Sequence, residues 1–419
     1  MKQEEGIYPM NLQENLQKYA DLVVKSGINV QPDQEIIISA PIENAEFARL
    51  IEESAYKNGA KEVIMNWTDE ESTRLKYQYA PMEVFENIHP WVADIRNYHA
   101  TRGAGFIYID GSDPDLLASI DAKKPAAFRK AMYNATQPYH EALDANKNTW
   151  CIAAAPTSKW AKKVFPNCNE TEAIEKLWTA IFKAVRVDMP DPIGAWAEHK
   201  NTFAKKVAYL NEKQFASFHY TNSIGTDITI GLTENHIWIG GGDVTQSEVY
   251  YFPNMPTEEI FTTPHKDKVN GTVKSALPLI YQGNVIDNFS ITYKDGKVTE
   301  YSAEKGYDTL KALIDTDEGA KSLGELALIP NQSPISNMNV LFYNTLFDEN
   351  ASCHFAIGFG FPNCIEGGIN MNKEELKSVG VNDSATHVDF MLGTKDLNIV
   401  ATDKDGNQTE IFKDGNWAF

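Results

Sequence analysis

Glu259, Glu325, His354 and the triplet His387-Val388-Asp389 fall in four separate segments of the second half of the chain. They are the residue types that hold divalent metal. Carboxylate oxygen and imidazole nitrogen in this mix suit zinc, cobalt or manganese rather than a metal that wants soft thiolates. A divalent ion held this way polarises a carbonyl and acidifies a water, so the chemistry indicated is hydrolysis. On a strand, residues i and i+2 face the same side, which would set His387 beside Asp389. Each signal alone has an ordinary structural explanation. A His-x-Asp pair is commonly a surface pair, a histidine in an apolar setting such as that of His354 is commonly a core residue, and the Glu258-Glu259 doublet is commonly solvated. Glu325 interrupts Leu323, Leu326, Ala327, Leu328 and Ile329, where a carboxylate is costly to bury without a partner. Charge supplies the joint argument. Residues 325–364 contain no Lys or Arg, so Glu325, Asp348, Glu349 and His354 have no cation nearby in sequence. The carboxylates of Glu259, Glu325 and Asp389 set against two divalent ions leave a site net positive by about one unit, which can polarise a carbonyl and acidify a bound water.

Competing chemistries lack their signatures. Gly103-Ala104-Gly105 is not a dinucleotide fingerprint, there is no phosphate-binding Gly-rich loop ending in Lys-Ser/Thr, and there is no Gly-x-Ser-x-Gly elbow. His265 follows Pro264 without a paired nucleophile. The net charge of -20 disfavours nucleic acid and anionic membrane as partners. The four cysteines, Cys151, Cys168, Cys353 and Cys364, form no CxxC pair and are too few for a disulfide framework in 419 residues. The opening Met1-Lys2-Gln3-Glu4-Glu5 is charged and no apolar run follows it, so no leader is expected and the cytoplasm is the expected compartment.

The elements that must position these residues divide the chain in two. Helical spacing of Leu12, Leu16, Tyr19 and Val23, a β-branched run at 35–40, a second helical pattern carrying Phe47, Leu50, Ile51 and Ala55, and strand-like runs at 61–67, 105–110 and 149–155 alternate in the manner of a mostly parallel sheet covered by helices. A helix over 170–187 ends at Asp188-Met-Pro-Asp-Pro192, whose prolines mark a boundary, and a short helix around 195–210 is expected after it. The period then shifts towards two at 226–231, 236–239 and 291–293, with turns at Lys294-Asp-Gly-Lys297, Lys404-Asp-Gly-Asn407 and Lys413-Asp-Gly-Asn416. The expectation is an N-terminal α/β domain over 1–190, with a mostly parallel sheet, and a strand-rich α+β domain over 191–419 that carries the metal.

Taken in order, Pro253-Asn-Met-Pro-Thr-Glu-Glu-Ile-Phe-Thr-Thr-Pro264, Leu323-Gly-Glu-Leu-Ala-Leu-Ile-Pro330, Ser333-Pro-Ile-Ser336, Thr345-Leu-Phe-Asp-Glu-Asn-Ala351 with His354, and His387-Val-Asp-Phe-Met-Leu-Gly393 resemble the M29 family of metallo-aminopeptidases. The resemblance runs the length of the chain. It implies five metal ligands, Glu259, Glu325, His354, His387 and Asp389, with Glu325 bridging two ions. It also implies a homodimer and, as substrates, peptides with a free N-terminus. Glu258, beside a ligand, becomes a candidate general base or a group behind the ligands. One position departs from the family pattern. Phe361 stands seven residues after His354, where the family usually has a tyrosine thought to assist the transition state. Loss of one donor to a developing oxyanion costs about 3 kcal/mol, or roughly 10²–10³ in rate.

The expected function is therefore release of N-terminal residues from peptides through a metal-activated water, with zinc, cobalt, manganese or magnesium as the ion. Two alternatives stay open: a non-catalytic or weakly active family member that binds peptides or assists assembly, and a related metal-dependent amidase.

Overall fold

The computed structural model describes residues 11–118, 120–121, 123–281 and 284–419. The charged opening segment, Met1 to Glu5, lies outside the described residues. Two compact units emerge. One takes the chain up to Glu198 together with Gly242–Pro256, and the other takes His199–Gly241 and Thr257–Phe419.

The first unit is built on four strands, Glu35–Pro41, Glu62–Thr68, Gly105–Asp110 and Trp150–Ala154. Their spatial order is second, first, third, fourth, and every pairing is parallel. The β-branched run Ile36, Ile37 and Ile38 is buried throughout, because a parallel sheet is covered on both faces. Helix Leu12–Leu22 begins where the Asn11 side chain accepts from the Glu14 amide, and it buries Leu16, Tyr19, Ala20 and Leu22. Helix Glu170–Ala184 starts with a reciprocal capping box between Asn169 and Glu172. The segment expected as a short helix around 195–210 is a 22-residue helix, Pro192–Lys213. Pro192 stands at its start, where a missing N–H costs nothing.

The second unit holds two antiparallel sheets. The larger has nine strands among the described residues. Its hairpin between Asn284–Lys294 and Lys297–Lys305 turns on Asp295 and Gly296, at φ 48° and 76°, the left-handed pair that a tight two-residue turn demands. The smaller sheet runs His387–Met391, His354–Gly358, Leu323–Leu328, Ile260–Thr262, Ile239–Gly240 in spatial order. The alternation at 236–239 predicts a longer strand there, but only Ile239–Gly240 joins the ladder. His236 makes only an isolated bridge to Ile365, with the Ile237 N–H on the Cys364 carbonyl, while Asn211 bonds both the N–H and the C=O of Trp238 and Gln214 donates to the His236 carbonyl. Amide side chains from the preceding helix thus satisfy the Trp238 backbone in place of a strand partner.

Candidate metal centre

The smaller sheet works by the two-residue period of its strands. Glu325, Ala356 and Asp389 are register partners across three strands, and Ala327, His354 and Met391 form the next row on the same face. His387 sits opposite Gly358, one row away on the other side of Glu325. The other face carries Leu326, Leu328, Phe355, Ile357 and Phe390 into the unit's hydrophobic core. A register slip between Leu323 and Glu325 lets Leu323 also turn into that core while Glu325 faces the opposite way. Among the acidic and imidazole groups on this face stand Ala327, Ala356 and Gly358, which leave room above the sheet. Gly358 has φ +107°, and a Cβ there would lie 2.1 Å from the Thr386 carbonyl, so no larger residue fits.

Two sets of potential ligands result. Glu259, Glu325 and His354 form one, Glu325, His387 and Asp389 the other, and in each set the donor atoms lie within 4.8 Å of one another. Glu325 belongs to both. The His354 Nε2 lies 3.4 Å from a Glu259 oxygen and 3.9 Å from Glu325. The His387 Nε2 lies 3.0 Å from Glu325 and 3.3 Å from Asp389. Each imidazole is turned by its other nitrogen: His354 Nδ1 donates to the Glu349 carbonyl at 3.0 Å, and His387 Nδ1 donates to the Phe359 carbonyl at 2.8 Å. A carbonyl can only accept, so both rings are fixed with Nε2 inward, the orientation and tautomer that metal-binding histidines adopt.

The electrostatics call for cations. Burial, then the neighbouring Glu325 carboxylate, push Glu259 above the ordinary carboxylate range. Burial raises Glu325 as well, against the pull of His387. Burial alone would lower His387, but Asp389 and Glu325 outweigh it and raise the ring to about 11. Burial would raise Asp389, and the proximity of His387 holds it low instead. Asp389 Oδ1 is buried, and its 3.3 Å approach to His387 Nε2 is too poorly aligned to be a hydrogen bond. Left to itself, the cluster therefore retains protons to offset its own charge. Divalent ions would release those protons and satisfy the same oxygens. The donor set fits such ions. Cys364 lies close enough to feel Glu325, but burial pushes its thiol up, so it stays protonated and is no thiolate ligand.

All five residues singled out as ligands thus converge. Their neighbours sort differently. Glu258 is absent from both sets: its amide donates to the Asn350 side chain, and its carboxylate lies 3.7 Å from His199 Nε2. Phe361 packs against the cluster, its ring 4.7 Å from the His387 ring between centroids. The structure adds a residue that the sequence had not placed in the site. Glu349 feels the charges of Glu259, Asp389 and Glu325, and burial drives its carboxyl far above the ordinary range. Its place in a stretch without Lys or Arg was the available signal, but it shares that trait with Asp348. Asp348 turns the other way and accepts from the Phe342 and Asn344 amides.

The chain is similar to known proteins along nearly its whole length. The family model described as thermophilic metalloprotease (M29) matches residues 12–417. Aminopeptidase 2 of Geobacillus stearothermophilus is 49% identical over 97% of this chain and 98% of its own length. Aminopeptidase AmpS of Bacillus subtilis is 48% identical over 97% and 99%. The solved structure of wild-type AmpT from Thermus thermophilus superimposes with a TM-score of 0.91 at 36% identity, covering 97% of this chain and all of that one.

Proposed function

This chain belongs to the thermophilic metalloprotease (M29) family, and from that premise we propose a metallo-aminopeptidase that uses two divalent ions to release N-terminal residues from peptides. Glu259, Glu325 and His354 would hold one ion, and Glu325, His387 and Asp389 the other. The observation that carries this reading is the sharing of Glu325 between two ligand sets whose histidines both present Nε2 inward. Ions bound there supply Lewis acidity towards a carbonyl and towards water. The chain's own residues do the rest. Glu258 is the proposed proton acceptor, with His199 at 3.7 Å as the group able to take the proton onward. Glu349, in the charge field of the cluster, is either a further ligand or the rival acceptor. Its carboxylate, added to the other three, would balance two divalent ions in full. The donors suit zinc, cobalt or manganese, and the number of carboxylates also admits magnesium.

We further place the protein in the cytoplasm as a homodimer. Four free cysteines fit a reducing compartment, and no described helix is long and apolar enough to cross a membrane. The test of function is hydrolysis of leucine amide before and after chelation, with elemental analysis for two ions per chain. Turnover that survives complete metal removal sinks the mechanism. N-acetylated leucine amide separates an aminopeptidase, which needs the free amine, from an amidase. Phe361 favours one second reading, a weakly active or peptide-binding protein, because its ring lies against His387 without a hydroxyl.

A further inference from the structure

The first unit has a crevice that the metal chemistry does not use. Its parallel sheet runs second, first, third, fourth, so the winding reverses between strands Glu35–Pro41 and Gly105–Asp110. In open α/β sheets, small ligands bind outside the carboxyl ends of the strands at that reversal. Here the position is a cavity of about 330 Å³. It is lined by Ser39, Asn66, Thr68, Tyr108, Asp110 and Arg96, the first five from the carboxyl ends of three strands.

We propose that this crevice binds a free α-amino acid, with its carboxylate on Arg96 and its ammonium group on Asp110. Arg96 makes no ion pair with any described residue, and its guanidinium lies 5.6 Å from the centre of the Tyr139 ring. That ring is anchored by a 2.6 Å bond between the Tyr139 and Tyr108 hydroxyls. A guanidinium held against a ring keeps its fork of N–H donors for a planar carboxylate. Asp110 is fixed in turn by the amide and hydroxyl of Ser112. Asn66 donates to Ser39 at 3.1 Å and completes a neutral polar wall. The volume lies at the low end for ligand sites, which run from roughly 300 to 1,000 Å³, so one residue fits and a long peptide does not. Phosphate ligands are disfavoured. The turn after the first strand, Pro41-Ile42-Glu43-Asn44, has no glycine loop to cradle them. The inference is linked to the peptide-trimming reading through its ligand class, since amino acids are the products of that reaction.

The experiment is calorimetric titration of L-leucine into the full chain, metal-loaded and after chelation, with inorganic phosphate as a parallel arm. The expected result is leucine binding that survives chelation and weakens about tenfold or more in Arg96→Gln, while leucine amide hydrolysis by the metal-loaded variant is unchanged. Asp110→Asn serves as the second variant should Arg96→Gln fail to fold. No chelation-resistant binding, binding undiminished in the variants, or binding of phosphate in place of leucine overturns the proposal. Because the readout needs no turnover, chelation-resistant binding without hydrolysis would reject the peptidase reading and leave this one standing.

Discussion

Two neighbouring pairs decide the chemistry at the scale of single residues. Glu258 and Glu259 differ by one position, yet only Glu259 joins the ligand sets. Asp348 and Glu349 differ likewise, and only Glu349 lies in the field of the cluster. Substituting Glu258→Gln and Glu349→Gln, with kcat and metal content measured together, assigns the proton acceptor. The acceptor's variant should lose about 10²–10⁴ in kcat with both ions retained, whereas a ligand's variant should lose metal. Phe361→Tyr tests the missing hydroxyl. If oxyanion support is what the site lacks, kcat rises, by up to roughly 10²–10³; an unchanged kcat with metal bound favours the binding reading. The ligand types were legible in the sequence because His387-x-Asp389 follows strand alternation and Glu325 interrupts an apolar run. Which member of each acidic pair faces inward was not legible for Glu349, because its direction is set by the short helix Thr345–Asp348 and by Asp348 capping the preceding loop.

At the scale of elements, the site depends as much on small residues as on charged ones. Ala356 lies between Glu325 and Asp389 in register and keeps the space above the sheet open. Ala356→Leu should fill that space, so that elemental analysis finds fewer than two ions per chain and hydrolysis falls in step; full metal content in this variant would contradict the arrangement. Strand positions were readable wherever alternation met a turn signal, as at Asp295-Gly296. They failed at 236–239, where alternation was present but the backbone is shared between a single bridge to Ile365 and the side chains of Asn211 and Gln214, far away in sequence. The register slip at Leu323 was also invisible, since a run buried on both faces carries no period to count.

The whole molecule carries a net charge of -20, and its metal-free stability should depend on pH in a specific direction. Glu259 and Glu325 have folded pKa values raised from 4.5, to about 8 and about 7. The folded state therefore binds more protons than the unfolded one over that interval, and stability falls as pH rises from about 4.5 to about 8. His387, raised from 6.5 to about 11, adds a loss of the same sign above pH 6.5. Asp389, held low, contributes stability that disappears only as pH falls below its ordinary 3.8. Thermal melts of chelated protein should thus show lower Tm at pH 8 than at pH 5. Metal at a hundredfold excess over Kd should restore roughly 2.7 kcal/mol per ion and flatten the profile. An apo Tm that climbs with pH would contradict the charge balance drawn for the cluster.

The fifteen residues of Gly242–Pro256 return to the first unit from within the second. They are held there through Phe252 on the Gly27 carbonyl, Met255 on the Ile152 carbonyl, and the Tyr250 carbonyl receiving Asn29. Severing the polypeptide near residue 190 would therefore release an amino-terminal fragment lacking part of its own fabric. Such a fragment, expressed alone, should be prone to aggregate, and supplying a synthetic peptide of 242–256 should improve its solubility. Fusing that peptide behind the fragment through a flexible tether is the natural route to an independently folding half.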